Sequence, residues 1–297
     1  MTLSHNQYPV LVTGAAGLLG TDLGPLLVAG APDPAAVHLT DVRDLDVTDA
    51  SAVAAAIGRI APRTVFHLAA WTNVDGAEDH PAEARRLNAA APGIVAGAAA
   101  RAGAAVVHVS TDFVFGGGQA EPYVESDPIR PEGVYAQTKA EGEARVREAA
   151  PDHHAIARTA WLYGAGGRNF IDAVLDRGRA GRTLRVVTDQ VGCPTWSADL
   201  ARALVAIAAA GVRGTVHACG DGEASRWDLA VEALRAAGLE AEPEKITTAD
   251  LPPGGAPRPA RAVLSCARLA REAGFRFPPW QESVRRYVQR EAPAADD

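Results

Sequence analysis

A doubly wound parallel α/β sheet joined to a smaller mixed α/β domain is what the sequence predicts, on three observations. Short apolar runs alternate with helical patterns, a Gly-rich turn directly follows the first run, and an acidic residue closes the second. Tyr8 to Thr13 (YPVLVT) reads as the first strand, followed by glycines and a helix from about Leu18 to Val28. Val37 to Thr40 is the second strand, Ala50 to Ile60 a helix, Thr64 to Leu68 the third strand, and Glu83 to Ala102 a long Ala-rich helix. Ala105 to Val109 is the fourth strand. Runs this short, separated by helical crossovers, fit parallel strands covered on both faces and joined right-handedly, the Rossmann arrangement.

Beyond these elements, Phe115 to Gly133 is irregular and rich in Gly, Pro and acids, Tyr135 to Ala149 is a helix, and His154 to Leu162 a strand. The alternation then loosens. A GAGG segment precedes a helix at Phe170 to Arg177, a strand at Leu184 to Val187, a helix at Ala198 to Ala210 and a Pro-rich loop at Leu251 to Arg261. Ala292 to Asp297 reads as a frayed tail. The expected division gives residues 1–163 and about 189–220 to a Rossmann domain, and about 164–188 and 221–297 to a substrate-binding domain.

Composition narrows the function. With 297 residues, 47% hydrophobic and 22% charged, the chain can bury a sizeable core. A net charge of -7 offers no general attraction to nucleic acid or anionic lipid, so any phosphate must be held by local geometry. Cys193, Cys219 and Cys266 are widely spaced and odd in number, fitting neither a disulfide framework nor a zinc pattern; buried reduced thiols and no metal are expected. MTLSHNQYPV is not a signal sequence, and no apolar stretch approaches the ~20 residues of a membrane span, so a cytoplasmic enzyme without membrane or nucleic-acid partners is expected.

The chemistry-bearing motifs follow the strands. Gly14, Gly17 and Gly20 in TGAAGLLG form a GxxGxxG pattern between strand and helix, where glycines admit a tight turn and a pyrophosphate, met by amides at the helix start around Leu18 and Leu19. Asp41 closes the second strand, either to bond adenosine ribose hydroxyls or as a simple strand-end acid. Arg43 beside it could accept a 2′-phosphate, so NADH and NADPH both remain open. Asp46 and Val47 lie where adenine could be recognised, although Asp46 could equally cap the next helix.

Tyr135-Ala-Gln-Thr-Lys139 carries the most weight, because residues four apart share a helix face. An ammonium near a phenol would lower its pKa toward neutrality and make an acid–base catalyst. With five tyrosines and only two lysines in the chain, a chance YxxxK is roughly a one-in-thirty event. Ser110, Thr111 and Asp112 follow the fourth strand at the carboxyl edge of the sheet, where a hydroxyl could hold a substrate oxygen, although such triplets also serve as turns or caps.

These residues resemble an extended short-chain dehydrogenase/reductase, and more narrowly the dTDP-4-dehydrorhamnose reductase family, over nearly the whole chain. The resemblance rests on Thr13 to Gly20, His67 to Asp75 with Ala77-Glu78, Val107 to Phe115, Tyr135 to Lys139 with Gly142-Glu143, Arg158 to Gly164 with Asn169-Phe170, Asp189-Gln190, Gly192, Pro194-Thr195, Arg258-Pro259 and Pro279-Trp280. It implies NAD(P)H-dependent reduction of the C4 keto group of a nucleotide-linked 4-keto-6-deoxyhexose, most naturally dTDP-4-dehydro-L-rhamnose or a related dTDP-sugar, by a monomer or homodimer. Thr111, Tyr135 and Lys139 would then be the catalytic trio. Ala69, Ala70, Thr72 and Ser110 would line the cofactor, and Val74, Asp112, Phe113, Trp161, Asn169, Phe170 and Arg258 would face the sugar or its nucleotide. Asn88 is a further candidate on the nicotinamide side, against a helix-packing role. Two departures stand out: Trp71 occupies a position commonly Tyr or His, and Arg261-Ala262 replaces an Asn-Ser pair.

Other residues are assigned less specific parts. Arg177, Arg179, Arg182 and Arg185 read as a solvated basic face rather than a diphosphate site, and Trp196, Trp227 and Trp280 as packing residues. His153 and His154 read as surface residues, His67 and His108 as packed ones. The alternatives to a reductase are an epimerase or dehydratase of the same superfamily, which recycles its cofactor, and a non-catalytic regulatory subunit.

Overall fold

The computed structural model describes residues 2–291; the tail from Ala292 lies outside them. Strand β1 (Val10–Thr13) is wholly buried, and the glycine turn after it leads into helix α1 (Gly20–Gly30). Next come β2 (Val37–Thr40) and α2 (Ala50–Ile60), whose amides Ser51 and Ala52 are capped by Asp49. The cap is therefore Asp49, not Asp46. After β3 (Thr64–His67), two short helices, α3 (Val74–Asp79) and α4 (Pro81–Arg85), lead through a π turn at Arg86–Ala90 into α5 (Ala91–Arg101).

The single helix expected over Glu83 to Ala102 is thus interrupted. Pro92 has no N–H for the Asn88 carbonyl, and a π turn is a common way of absorbing such a lost bond. The freed carbonyl faces Gly142, where any β-carbon would collide with it.

Strand β4 (Ala105–Thr111) and helix α6 (Gly133–Ala149) follow, then β5 (His154–Thr159) and a separate two-residue β6 (Leu162–Tyr163). The break between the last two lies at Trp161, in the left-handed region at φ 43°, so the strand expected to run to Leu162 ends at Thr159. His154 is buried, with Nδ1 2.7 Å from the Ala150 carbonyl, contrary to its surface reading. His67 and His108 are buried and stacked at 5.3 Å.

The remaining chain supplies α7 (Phe170–Arg179), β7 (Arg185–Val187), β8 (Val191–Gly192), β9 (Thr195–Trp196), α8 (Ser197–Ala209), β10 (Gly214–His217), β11 (Ala224–Ser225), α9 (Arg226–Ala236), β12 (Glu244–Ile246), β13 (Arg261–Ala262), α10 (Ala267–Ala273) and α11 (Trp280–Glu291). The main sheet has the order β10-β5-β4-β3-β1-β2 and every pairing in it is parallel. Smaller sheets join β11-β8-β13, β12-β7 and β6-β9.

One core packs α1 and α8 against one face of the large sheet through Leu23, Leu27, Leu200 and Leu204. A second packs α2 and α5 on the other through Val53, Ile57 and Val95. A third joins α7, α9 and α11 through Ile171, Leu229, Val284 and Tyr287. Both faces of the sheet are thereby dry, leaving its carboxyl edge as the open place for a ligand. The three cysteines are free and gather together, with Cys219 Sγ 3.5 Å from Cys266 Sγ and the Leu264 amide 3.4 Å from Cys193 Sγ. Among the described residues no helix is long and apolar enough to cross a membrane.

Candidate functional site

A cavity of about 810 Å³ runs along the carboxyl edge of the main sheet, from the glycine turn to the third core. At one end Gly14 stands at φ +72°, and a β-carbon there would come 2.7 Å from the Ala69 amide nitrogen. Gly20 packs on the backbone of Ala15 in the same way, whereas Gly17 is exposed and lines the cavity with Leu18 and Leu19. Two glycines therefore let the backbone close on itself, and the third leaves the turn open to a pyrophosphate, as a dinucleotide cradle requires. Gly166, in the GAGG segment, rests against the backbone of Gly17 and Leu18, so the chain after β6 folds back over this turn.

Asp41, Asp46 and Val47 line the same end, as do Ala69, Ala70 and Thr72. Asp41 Oδ1 accepts from the Arg43 amide at 2.8 Å; the Arg43 side chain is not among the lining residues. Asp46 accepts from the Thr48 hydroxyl at 2.7 Å and its amide at 2.9 Å, which hold its carboxyl below the usual range. Asn88 is wholly buried. Its Oδ1 accepts from the Trp71 amide at 2.9 Å and its Nδ2 donates to the Trp71 carbonyl at 3.0 Å. It therefore fixes the loop that carries Ala69 to Thr72, and its Nδ2 also reaches the Thr138 hydroxyl on α6 at 3.4 Å, the helix-packing contact expected as the alternative for it.

The middle of the cavity brings together Ser110, Thr111, Tyr135 and Lys139. The Ser110 hydroxyl is committed to Glu143, at 2.7 Å. Burial pushes the Glu143 carboxyl up, but the hydrogen bonds and charge of Arg158, with Ser110 and Arg147, bring it below its ordinary value. Lys139 donates to the Val109 carbonyl at 2.8 Å, and burial pulls its ammonium down to about 8 against an opposing pull from Glu143.

Tyr135 behaves differently from the expectation. Burial pushes its phenol up to about 12, a hydrogen bond with Thr111 opposes the rise, and the Asp112 charge adds to it. The expected lowering by Lys139 is not a contributor. Here the four-residue spacing brings both groups into one cavity without making the ammonium the tuner of the phenol; desolvation of the phenolate outweighs it.

The Thr111 hydroxyl donates to Asp112 Oδ1 at 3.0 Å and accepts from the Phe113 amide at 3.2 Å. The Phe113 ring stands edge-on to Tyr135, 5.4 Å between centroids. Asp112 is only 2% exposed. Burial pushes its carboxyl up to about 7, with the Thr111 hydrogen bond and the Arg226 charge holding it lower than burial alone would.

At the far end the cavity is lined by Val74, Trp161, Asn169, Phe170, Arg168, Arg226 and Arg258. The left-handed turn at Trp161 lays its indole over Gly192, where any side chain would strike the ring. Arg226 stacks on that indole at 3.6 Å and reaches Phe170 at 5.3 Å. Burial draws its guanidinium down to about 10 while Asp112 pulls it back up.

Asn169 caps α7, accepting from the Asp172 amide at 3.2 Å, and donates to the Tyr287 hydroxyl at 3.0 Å. Arg258 pairs with Asp75 at 2.7 Å, and Asp75 also accepts from the Ala256 amide at 2.9 Å, tying the Pro-rich loop to α3. Arg226 and Arg168 escaped the sequence reading. Arg226 opens α9 behind a Ser225–Asp228 capping box, and that box is the local signal that a helix starts there. Arg179 and Arg185 instead pair with Asp176 and Glu244, away from the cavity.

Comparison with known proteins gives consistent results. The family described as RmlD substrate binding domain matches residues 8–292. A dTDP-4-dehydrorhamnose reductase of Streptomyces griseus is 42% identical over 263 residues, 87% of this chain and 86% of the relative. A probable dTDP-4,6-dihydroxy-2-methyloxan-3-one 4-ketoreductase of Streptomyces antibioticus is 40% identical over 93% of this chain and 92% of its own. The crystal structure of a dTDP-4-dehydrorhamnose reductase from Bacillus anthracis in complex with NADP superposes with a TM-score of 0.89 at 31% identity, covering 95% of this chain and 98% of that one.

Proposed function

The chain belongs to the RmlD substrate binding domain family, and from that premise we propose that it is an NAD(P)H-dependent 4-ketoreductase of a nucleotide-linked 4-keto-6-deoxyhexose, dTDP-4-dehydro-L-rhamnose or a related dTDP-sugar. The observation that carries this reading is the convergence of Tyr135, Thr111 and Lys139 in one cavity whose end is floored by the glycine turn. In this reading residues 1–163 and about 189–220 hold the cofactor and about 164–188 and 221–297 the sugar nucleotide, with α10 packed back on the cofactor half through Leu269 and Ala273.

The turn at Gly14, Gly17 and Gly20 fits a dinucleotide, with Asp41 at the ribose and Asp46 and Val47 near adenine. A reduced nicotinamide held there would supply hydride to the carbonyl carbon. Tyr135 Oη, held protonated by its high pKa, gives its proton to the carbonyl oxygen as negative charge develops on it. Lys139 places a positive charge on the cavity wall. Trp161 and Phe170 offer apolar faces to a deoxysugar, whose methyl group gains from contact with a dry ring. Arg226, Arg258 and Arg168 supply the cationic end that a diphosphate needs, in a chain that is acidic overall.

The test is spectrophotometric: one mole of NADH or NADPH oxidised per mole of dTDP-4-keto-6-deoxyhexose reduced. Turnover without net oxidation of the nicotinamide would assign the chain to the epimerases or dehydratases instead. At the glycine turn, Gly14→Ala is expected to cost about 1–2 kcal/mol of stability from left-handed backbone alone, and to weaken cofactor affinity further as the new methyl pushes Ala69 away. Denaturant unfolding and fluorescence titration with NADPH would measure the two effects separately.

A further inference from the structure

The face of α6 that begins with Tyr135 continues at four-residue intervals through Lys139, Glu143 and Arg147. Glu143 is wholly buried and is not on the cavity wall. Its Oε1 accepts from the Ser110 hydroxyl at 2.7 Å and from Arg158 Nε at 2.8 Å. Its Oε2 accepts from Arg158 Nη2 and Arg147 Nη2, each at 2.7 Å. These donors fill the acceptor capacity of the carboxylate, and the single proton of Ser110 is committed to it.

We propose that Glu143 is a positioning residue of the reduction: it anchors the end of β4 that holds the Lys139 ammonium, and its carboxylate is the counter-charge of that ammonium. The proposal rests on the reading that Lys139 serves a ketone reduction in this cavity. The link runs through adjoining residues. Ser110, tied to Glu143, follows Val109, whose carbonyl accepts from Lys139 Nζ at 2.8 Å. Arg158 lies opposite Ser110 on the neighbouring strand β5, so its bidentate grip fixes the carboxylate from a second strand. One carboxylate thus fastens the helix of Tyr135 and Lys139 to the strand end that carries Val109, Ser110 and Thr111.

Charge leads to the same residue. Lys139 is 2% exposed, and a buried ammonium with no anion near it gives up its proton. The titratable groups facing it are His67 from β3, His108 from β4 and Glu143 from its own helix. Burial pulls both histidines far below their ordinary value, so they are neutral at pH 7 and offer no counter-charge. Burial draws Lys139 down to about 8, and Glu143 opposes that fall. Glu143 in turn faces Arg158 from β5, Arg147 from α6 and His217 from β10, and the two guanidiniums keep it ionised against its own burial.

Two measurements test the proposal. The first needs neither cofactor nor sugar. Because the chain has two lysines, the full protein labelled with carbon-13 at lysine Cε gives two NMR signals to follow, and Lys139→Met identifies the one that matters. Lys139 should titrate near pH 8 in the wild type and about one unit lower in Glu143→Gln, within the range of a lost opposite charge. If that variant fails to fold because Arg158 is left unpaired, Glu143→Gln with Arg158→Met removes both charges of the pair and carries the same measurement. An unmoved Lys139 overturns the proposal even if the ketoreductase reading stands. A wild-type chain that reduces no ketosugar defeats that reading, and the titration still decides whether Glu143 serves Lys139.

The second measurement is kinetic. In the wild type kcat/KM for the nicotinamide, which reports the groups of the free protein, should fall as pH rises through about 8. In Glu143→Gln this limb should move down together with the Lys139 titration. A carboxylate that served only the fold would lower the whole profile and leave the limb in place, and that result removes Glu143 from this role. Ser110→Ala keeps the counter-charge and cuts the tie to β4, so its limb should stay near pH 8 while kcat falls about tenfold, as a slightly misplaced catalytic group would cause. A Ser110→Ala protein with wild-type kcat would mean that Glu143 does not act through β4, and overturns the proposal.

Discussion

Tyr135→Phe should lower kcat about a thousandfold, within the range expected when a positioned general acid is removed, while the dissociation constant for NADPH changes by less than about twofold. The ring stays, so the edge-on contact with Phe113 survives, and only the hydroxyl is lost. The high pKa matters to the direction of the reaction. A phenol pushed up to about 12 keeps its proton throughout the physiological range and is matched to a developing alkoxide, a still stronger base. Steady-state kinetics and fluorescence titration with NADPH give the two numbers; near-normal turnover would mean another group protonates the sugar.

Lys139→Met should separate stability from activity. The wild-type ammonium is 2% exposed and burial draws it from 10.5 to about 8, which at 1.36 kcal/mol per pKa unit corresponds to roughly 3 kcal/mol of strain on the folded state. A thioether of similar length removes that cost, so the variant should unfold at higher denaturant concentration at pH 7 while its kcat falls by two or more orders of magnitude. The sign follows from linkage. Folded Lys139 loses its proton near pH 8 and unfolded Lys139 near 10.5, so wild-type stability rises with pH between these values. The stability difference between the proteins should therefore be greatest below pH 8 and close toward pH 10.5. A variant less stable than wild type at pH 7 would show that the bond to Val109 outweighs the cost of the buried charge.

Most of the first half of the fold was legible because its inner strands are short apolar runs buried on both faces, whereas β2, the partly exposed edge strand, was marked by the acid that follows it. Val10 to Thr13 and Thr64 to His67 are buried at every position, and nothing in them competes with a strand. The last third gave weaker signals. Gly214–His217 completes the main sheet with a glycine, a threonine and a histidine around one valine, and tertiary pairing with β5 decides its conformation. Helix α11 reads as polar because its core contact narrows to residues such as Val284, Tyr287 and Val288.

At the site, spacing revealed Tyr135 and Lys139 but not what each would touch. A helix face says which residues look the same way, whereas the pKa of Tyr135 depends on how much water its neighbours exclude. Arg226 is 91 residues beyond Tyr135 and comes to the cavity only because α9 begins beside Trp161; no local pattern could have announced it.

The contact of Gly166 with Gly17 and Leu18 sets one short segment against both ends of the cavity. The segment that rests on the glycine turn continues directly into Asn169 and Phe170 at the far end of the cavity, so a ligand that shifts it at one end acts on the lining at the other. Thermodynamic reciprocity then requires that any gain in sugar affinity from bound dinucleotide be returned in equal measure.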